Sequence, residues 1–514
     1  MKYKFLSIIL LNLACLSCLK KEKLYQEISS DVSNVLFENK LIQTEEFNLI
    51  EYLYFYNGGG IAVGDINNDG LNDIYFSANQ LDNKLYLNQG NFSFKDITKQ
   101  ANVSSSGGWK TGVIMIDFNG DGYLDIYQNR LGGYKGIEGK NQLFINNKDL
   151  TFTEMAEEYG LDFEGFSTHS AFFDYDKDGD LDMYLLNHSI HSERTYSNSK
   201  IRFERDLKSG DKLFRQEQVN NKIIFKDISE SSGILGSNIG YGLGVSIADF
   251  NNDGCDDIYV SNDFRENDYL YINNCDGTFT ENVNNAIGHT SRFSMGNDIG
   301  DINNDGLLDI FVLDMLPSDE IVLKSSSGED SYEIYKMKLD FGYNKQFTRN
   351  TLQLNLGNGN FSEIAQLSGI HATDWSWSTL IEDFDLDGLN DVFITNGILK
   401  RPNDMDYINF ISNNQISGEL NDKLKLSNLK LLDQMPDGKV SNYAFKNNGD
   451  LSFKDVSSEW GLNFKGYSNG ATYSDLDNDG DLDMILNNIN SKAKIYSNRS
   501  NEFYPERNYI SIDF

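Results

Sequence analysis

One nonamer, D-x-[DN]-x-D-G-x-x-D, occurs seven times in this 514-residue chain, and no other feature restricts the fold as strongly. The copies are DINNDGLND from Asp65, DFNGDGYLD from Asp117, DYDKDGDLD from Asp174 and DFNNDGCDD from Asp249, then DINNDGLLD from Asp301, DFDLDGLND from Asp383 and DLDNDGDLD from Asp475. Successive copies lie 52, 57, 75, 52, 82 and 92 residues apart, so a unit of about 50 residues recurs with insertions of variable length.

The spacing has a chemical reason. Oxygens from positions 1, 3, 5 and 9 and the carbonyl of position 7 can surround one hard cation, and glycine at position 6 allows the sharp turn that aims them inward. The candidate ligand sets are Asp65, Asn67, Asp69, Leu71 and Asp73; Asp117, Asn119, Asp121, Tyr123 and Asp125; Asp174, Asp176, Asp178, Asp180 and Asp182; and Asp249, Asn251, Asp253, Cys255 and Asp257. Three more follow: Asp301, Asn303, Asp305, Leu307 and Asp309; Asp383, Asp385, Asp387, Leu389 and Asp391; and Asp475, Asp477, Asp479, Asp481 and Asp483. All-oxygen sets of this size suit Ca²⁺ better than Mg²⁺ or zinc, and up to seven Ca²⁺ are expected. An EF-hand needs glutamate at position 12, where this chain has Phe76, Gln128, Leu185, Val260, Val312, Ile394 and Leu486.

The flanks are β-prone. Runs such as GIAVGD and LGVSIAD enter the loops, and DIYFSAN and DIYVSN leave them. A second string, KLYLNQGNFSFKDIT at Lys84 and its relatives at Asn141, Asp268, Thr351 and Asn442, reads as strand, Asn/Gly turn, strand. Each unit is therefore four antiparallel strands, A to D, with the acidic loop between A and B. Seven such units predict an all-β chain: a seven-bladed β-propeller of four-stranded antiparallel blades with short helical insertions. On these residues the chain resembles the FG-GAP/VCBS repeat family, whose propellers carry integrin α-like calcium loops. It also resembles bacterial lipoproteins related to the cartilage acidic protein and ASPIC/UnbV family. The resemblance implies a fold over 35–500 and little about the ligand. The ASPIC/UnbV portion is expected to be absent or truncated, with 501–514 (ending RNYISIDF) the start of a further strand.

Lys2 and Lys4 precede an apolar run from Phe5 to Leu16, too short to span a bilayer and arranged like an export signal. Leu16-Ser17-Cys18 resembles a lipoprotein cleavage site, which would lipidate Cys18, with Cys15 the alternative. The expected organisation is a signal peptide over 1–17, a tether over 18–34 and the propeller after it. An exported bacterial lipoprotein of the outer membrane follows, on its surface or periplasmic side. VLFENKL at Val35 resembles an outer strand and could complete blade seven.

A–B loops and B–C connections leave a blade on opposite faces. The long insertions, His188–Gly210, Leu316–Arg349 and Gly397–Val440, follow strand B and crowd the face away from the acidic loops. Within them SYEIYKMKLDF and NDKLKLSNLKLLDQM have helical spacing. Eight residues before each loop stand Asn57, Trp109, Phe166, Tyr241, Phe293, Trp375 and Tyr467. Packing between blades is the first reading of this column. The other is a stacking surface for a sugar or peptide, with Trp109, Lys110, His169, Tyr241, Arg292, Trp375 and Trp377 as its contacts. His188 and His191 form the one close histidine pair, too little for a metal site. Hairpin register sets Cys255 near Cys275, either as a disulfide or as two separate thiols.

With 78 acidic against 44 basic residues, a formal charge of −34 disfavours nucleic acid as a partner. No nucleophile elbow, phosphate loop or redox cysteine pair occurs. The expected function is a calcium-stabilised binding or scaffold propeller that takes a glycan or envelope protein on the insertion face. The alternative is a lyase-like enzyme acting on extracellular polysaccharide, sited in the insertions of blades three, five and six.

Overall fold

A computed structural model describes residues 22–190, 199–416, 428–507 and 509. Seven four-stranded antiparallel sheets stand around one axis. In blade four the order is Gly242–Ala248, Asp257–Asn262, Tyr269–Asn273 and Phe279–Glu281, from axis to rim. Blades one, two, three, five and six repeat it, and the acidic loop joins strands A and B in every blade. The B strands are buried along their whole length, as a strand covered on both faces must be. Facing blades share apolar layers: Tyr75, Leu85, Ile126 and Phe144 between one and two, and Tyr259, Leu270, Ile310 and Phe361 between four and five.

Blade seven closes the ring with the two ends of the chain. Its strands A to C are Ser468–Ser474, Asp483–Asn488 and Lys494–Ser497, and its rim strand is Gln26–Ile28, paired as Gln26↔Ser497 through Ile28↔Ile495. Two expectations are corrected here. Residues 22–34 are not a free tether, because Gln26–Ile28 is a blade strand and Tyr25 is buried against Trp460. The segment at Val35 does not supply the closing strand. Val35 and Phe37 wedge between blades seven and one, touching the sheet through the single bridges Glu38↔Lys492 and Asn39↔Ile489. After strand C of blade seven the chain forms a helical turn, Ser500–Phe503, and 508 and 510–514 lie outside the described residues. The signal segment, Cys15 and Cys18 lie outside them as well.

At the axis the inner strands nearly touch. Five residues before each loop stand Gly60, Gly112, His169, Gly244, Gly296, Ser378 and Gly470. A Cβ on Gly244 would lie 2.9 Å from both Asn297 N and Met295 O of blade five, and one on Gly112 would lie 2.6 Å from Thr168 O of blade three. The glycines set how closely seven inner strands can converge.

Near the loops, a buried asparagine at the end of strand C ties neighbouring blades. Asn355 donates to Leu308 O of its own blade (3.1 Å) and to Phe250 O of blade four (2.9 Å). Asn88, Asn146, Asn273, Asn447 and Asn498 do the same in blades one, two, four, six and seven. In blade three the position is Gln216. Asn355→Ala leaves two buried carbonyls without a donor and should cost about 2 kcal/mol. Urea unfolding of the calcium-loaded protein checks this; a loss below about 0.5 kcal/mol would contradict it.

Candidate metal belt and insertion face

The seven acidic loops share one backbone design. Positions 4 and 6 both take positive φ, as in Asn68 (56°) with Gly70 (84°) and Lys177 (61°) with Gly179 (93°). This double left-handed bend brings positions 1, 3, 5 and 9 toward one centre. Position 1 is held by backbone amides: in blade one Asp65 Oδ2 accepts from Gly70 N (2.6 Å) and Oδ1 from Asp69 N (3.2 Å). The same pair recurs in the other six loops.

Position 9 is buried in every blade. Asp309 Oδ1 accepts from Asn355 N (2.7 Å) on strand C, and Oδ2 accepts from Ile302 N (3.0 Å) in the loop. The Oδ1 bond to strand C is present in all seven blades. Burial, with the neighbouring carboxylates adding to it, pushes Asp483 up to about 9, Asp182 and Asp391 to about 8 and Asp73 to about 7.

These residues fit a hard cation. In blades three and seven, ligand oxygens of Asp174, Asp176 and Asp182, and of Asp475, Asp477 and Asp483, lie within 4.8 Å of one another. Buried oxygens at position 3, namely Asn67 Oδ1, Asp176 Oδ1 and Asp477 Oδ1, have no hydrogen-bond donor in the protein. A divalent ion would satisfy them and relieve the repulsion between the carboxylates. Blade six differs. Asp383, Asp385 and Asp391 converge in the same way, but the Lys446 ammonium contacts both Asp385 and Asp387, and Arg507 pairs with Asp385 Oδ1 at 3.1 Å. A cation there must compete with two basic side chains.

The loops also hold one another. Asn68 donates to Gly122 O of blade two (2.8 Å), Asn304 to Gly388 O of blade six (2.8 Å), and Asn478 to Gly70 O of blade one (2.7 Å). In blade four a disulfide joins Cys255 to Cys275, with Cα atoms 5.9 Å apart. The Cys255 carbonyl remains available at loop position 7, whereas its sulfur is not a metal ligand.

The opposite face is closed by a cap that sequence patterning does not reveal. Residues 41–56 cross it, ending in a 3₁₀ turn, Leu53–Tyr56, and bury Leu41, Leu49, Tyr52, Tyr54, Phe55 and Tyr56. The cap covers much of the aromatic column. Trp109 packs under Phe47 and Phe55, with ring centroids 5.1 and 5.0 Å away. Tyr241 is wholly buried beside Phe264 at 5.4 Å. Tyr52 Oη bonds His188 Nε2 at 2.9 Å, which gives that histidine a packing role; His191 lies outside the described residues.

The remaining candidate contacts have separate surroundings. Lys110 is fully buried, held down to about 8 by burial and by Arg130, with its ammonium 3.3 Å from Gly107 O. His169 borders an axial cavity of about 270 Å³, and burial lowers its imidazole to about 4. Arg292 is paired with Asp330 at 2.7 Å. Trp377 donates Nε1 to Gly397 O (2.7 Å) and packs beside Trp375 at 6.4 Å. Lys110, His169 and Arg292 thus stand in three different environments.

The insertions carry the helices Glu320–Ser325 and Tyr332–Asp340 in blade five, and Met405–Ile416 and Asn428–Asp433 in blade six. SYEIYKMKLDF is helical as expected. Of NDKLKLSNLKLLDQM only Asn428–Asp433 is a described helix, since 417–427 lie outside the described residues. Among the described residues no helix is long and apolar enough to cross a membrane. Buried ion pairs fasten the insertions to the ring. Arg202 binds Glu266 of blade four through Nε and Nη2 (2.8–3.1 Å) and donates Nη1 to Gly342 O of the blade-five insertion (2.9 Å). Arg401 Nη2 reaches Asp374 Oδ1 at 2.6 Å.

Comparison with known proteins bears on the repeats. The FG-GAP-like repeat profile matches residues 65–127 and 249–312, each beginning at the first aspartate of a loop. These are FG-GAP-like repeats. Cartilage acidic protein 1 of Xenopus tropicalis is 26% identical over 211 residues, 40% of this chain and 29% of that protein. The human protein is 24% identical over 212 residues, 40% of this chain and 28% of that one. The chain therefore spans about three tenths of the length of the curated relatives it matches. Among solved structures, an Agrocybe aegerita lectin specific for non-reducing terminal N-acetylglucosamine is similar with a TM-score of 0.41 and 14% identity, over 79% of this chain and 84% of the lectin. The Vibrio cholerae biofilm matrix protein Bap1 gives a TM-score of 0.39 and 10% identity, over 88% of each chain. Neither likeness is close enough to bear on what this chain binds.

Glu266→Gln removes the charge facing buried Arg202 and should cost about 3 kcal/mol. Limited proteolysis should then cut first in the blade-three insertion. Unchanged stability and an unchanged cleavage pattern would show that the pair does not anchor the insertion.

Proposed function

We propose that this FG-GAP-like propeller is a calcium-stabilised binding or scaffold protein of the bacterial cell envelope. Lipidation of Cys18, or of Cys15, would tether it to the outer membrane, on either its surface or its periplasmic side. Its partner is a glycan or an envelope protein met on the face opposite the loops. One observation carries the reading: the seven acidic loops share one face, while all three long insertions stand on the other. A rigid frame with variable loops on one side is the arrangement in which recognition is placed on those loops.

Calcium is expected to stabilise the folded state by mass action. Excess chelator should lower Tm by roughly 10 °C, and added Ca²⁺ should restore it. An unchanged Tm would remove calcium from the reading. Because Lys446 competes in blade six, a calcium titration of Lys446→Ala should show one site gained or strengthened, with the other sites unchanged. Identical titrations would mean that Lys446 does not compete.

The ligand class is tested by presenting the calcium-loaded protein to a glycan array and to soluble envelope polysaccharides. Saturable binding without new reducing or unsaturated ends supports a binding module. Turnover that persists with calcium present would overturn it in favour of an enzyme.

A further inference from the structure

A second cavity, of about 450 Å³, opens on the insertion face where three segments meet. They are the cap between Leu49 and Asn57, the blade-five insertion from Met315 to Glu329, and the blade-six insertion from Ile398 to Ile408. Most of its wall is apolar surface. Part of that wall is aromatic, with Tyr54, Phe264 and Phe293 in edge-to-face sequence at centroid distances of 6.4 and 5.8 Å. The volume lies in the range of small-molecule sites.

Its charged lining residues are both acids, Asp263 and Glu329. Asp263 follows strand B of blade four and is 3% exposed. Its Oδ1 accepts the Phe264 amide at 2.7 Å. Among the described residues, no ion pair reaches Asp263 from a lysine or arginine. Arg292, on the neighbouring blade, is engaged by Asp330 at 2.7 Å and lies over Phe293 with 4.6 Å to the ring centroid. Burial holds the Asp263 carboxyl well above the usual carboxylate range, a cost that a cation beside it would offset. An anion would face two acids here. A neutral sugar would lose water from its hydroxyls against an apolar wall that offers them few partners.

We propose that this cavity binds a small organic ammonium, a primary or quaternary amine on an apolar body, with the cationic head between Asp263 and the rings of Tyr54, Phe264 and Phe293. A carboxylate together with aromatic faces is the combination that selects an ammonium over its neutral isostere. The apolar body lies along Met315, Leu316 and Leu323. This site stands whether or not a glycan is recognised elsewhere on the same face.

The test uses the full chain loaded with calcium, and reads calorimetry together with intrinsic tryptophan fluorescence, to which Trp375 and Trp377 on the cavity wall contribute. The probes are octylammonium, octyltrimethylammonium, 1-octanol and octanoate, each below its aggregation concentration. Both ammonium probes should bind one site, 1-octanol at least tenfold more weakly, and octanoate not measurably. Asp263→Asn should lower ammonium affinity at least tenfold and leave 1-octanol affinity unchanged, and Met315→Trp should weaken both by obstructing the apolar wall. Equal affinity for octylammonium and 1-octanol, or no binding of any probe, would overturn the proposal. So would an Asp263→Asn protein that keeps the ammonium preference. If that variant does not fold, the comparison of probes on the unaltered chain decides alone.

Discussion

Each blade depends on one buried carboxylate. The aspartate that starts strand B accepts an amide from the end of strand C in all seven blades. In blades one, three, four, five and seven its second oxygen accepts an amide from the loop. Loop, strand B and strand C are thereby fixed to one side chain. Such a group is costly to bury as a charge unless it is paired. Backbone amides meet part of that cost, and a divalent ion between positions 1, 3, 5 and 9 would meet the rest. The belt and the fold are therefore one feature: the residues that shape the loops also hold each sheet in register.

Contacts from blade to blade join most of the belt. The strand-C asparagines reach the preceding loop, and Asn68, Asn304 and Asn478 reach the following one. Lys177 makes the equivalent contact to Gly254 O, whereas Gly120 and Leu386 carry no side-chain donor at this position. Blade six is the departure within the belt. Lys446 supplies a protein-borne positive charge to two ligand carboxylates, where Lys148 in blade two reaches Asp121 alone at 3.4 Å, so blade six has the least need of a metal.

The repeats were legible because seven copies of a nine-residue pattern with a ligand's geometry leave few alternatives, and the propeller followed from four strands per copy. Ring closure was not. Gln26–Ile28 is a three-residue strand with two exposed side chains, and nothing in QEI distinguishes it from the polar residues around it. The cap has no periodic signature, because the apolar residues of LIQTEEFNLIEYLYFYN follow neither a period of 2 nor one of 3.6. The asparagine staples were visible as a letter at the end of strand C in six blades, but there they read as turn residues. The glycines at the axis aligned equally well, yet only the packing shows that they face another blade's backbone.

The aromatic column shows how far sequence alignment can carry a site. Six aromatics at one offset are what a stacking surface requires, and also what a packed ring requires. The choice depends on residues far away in sequence. Phe47, Tyr52 and Phe55 lie over Trp109, and Tyr54 and Phe264 lie beside Tyr241, so much of the column is interior. The cap that removes these rings from solvent also brings Tyr54 to the cavity shared with the blade-five and blade-six insertions. Trp375 and Trp377 remain on its wall, joined by Asp263, which no alignment of the loops would select. Where the cap meets the insertions the blades cease to be equivalent, and the side chains gathered there come from segments that no alignment of the repeats would bring together.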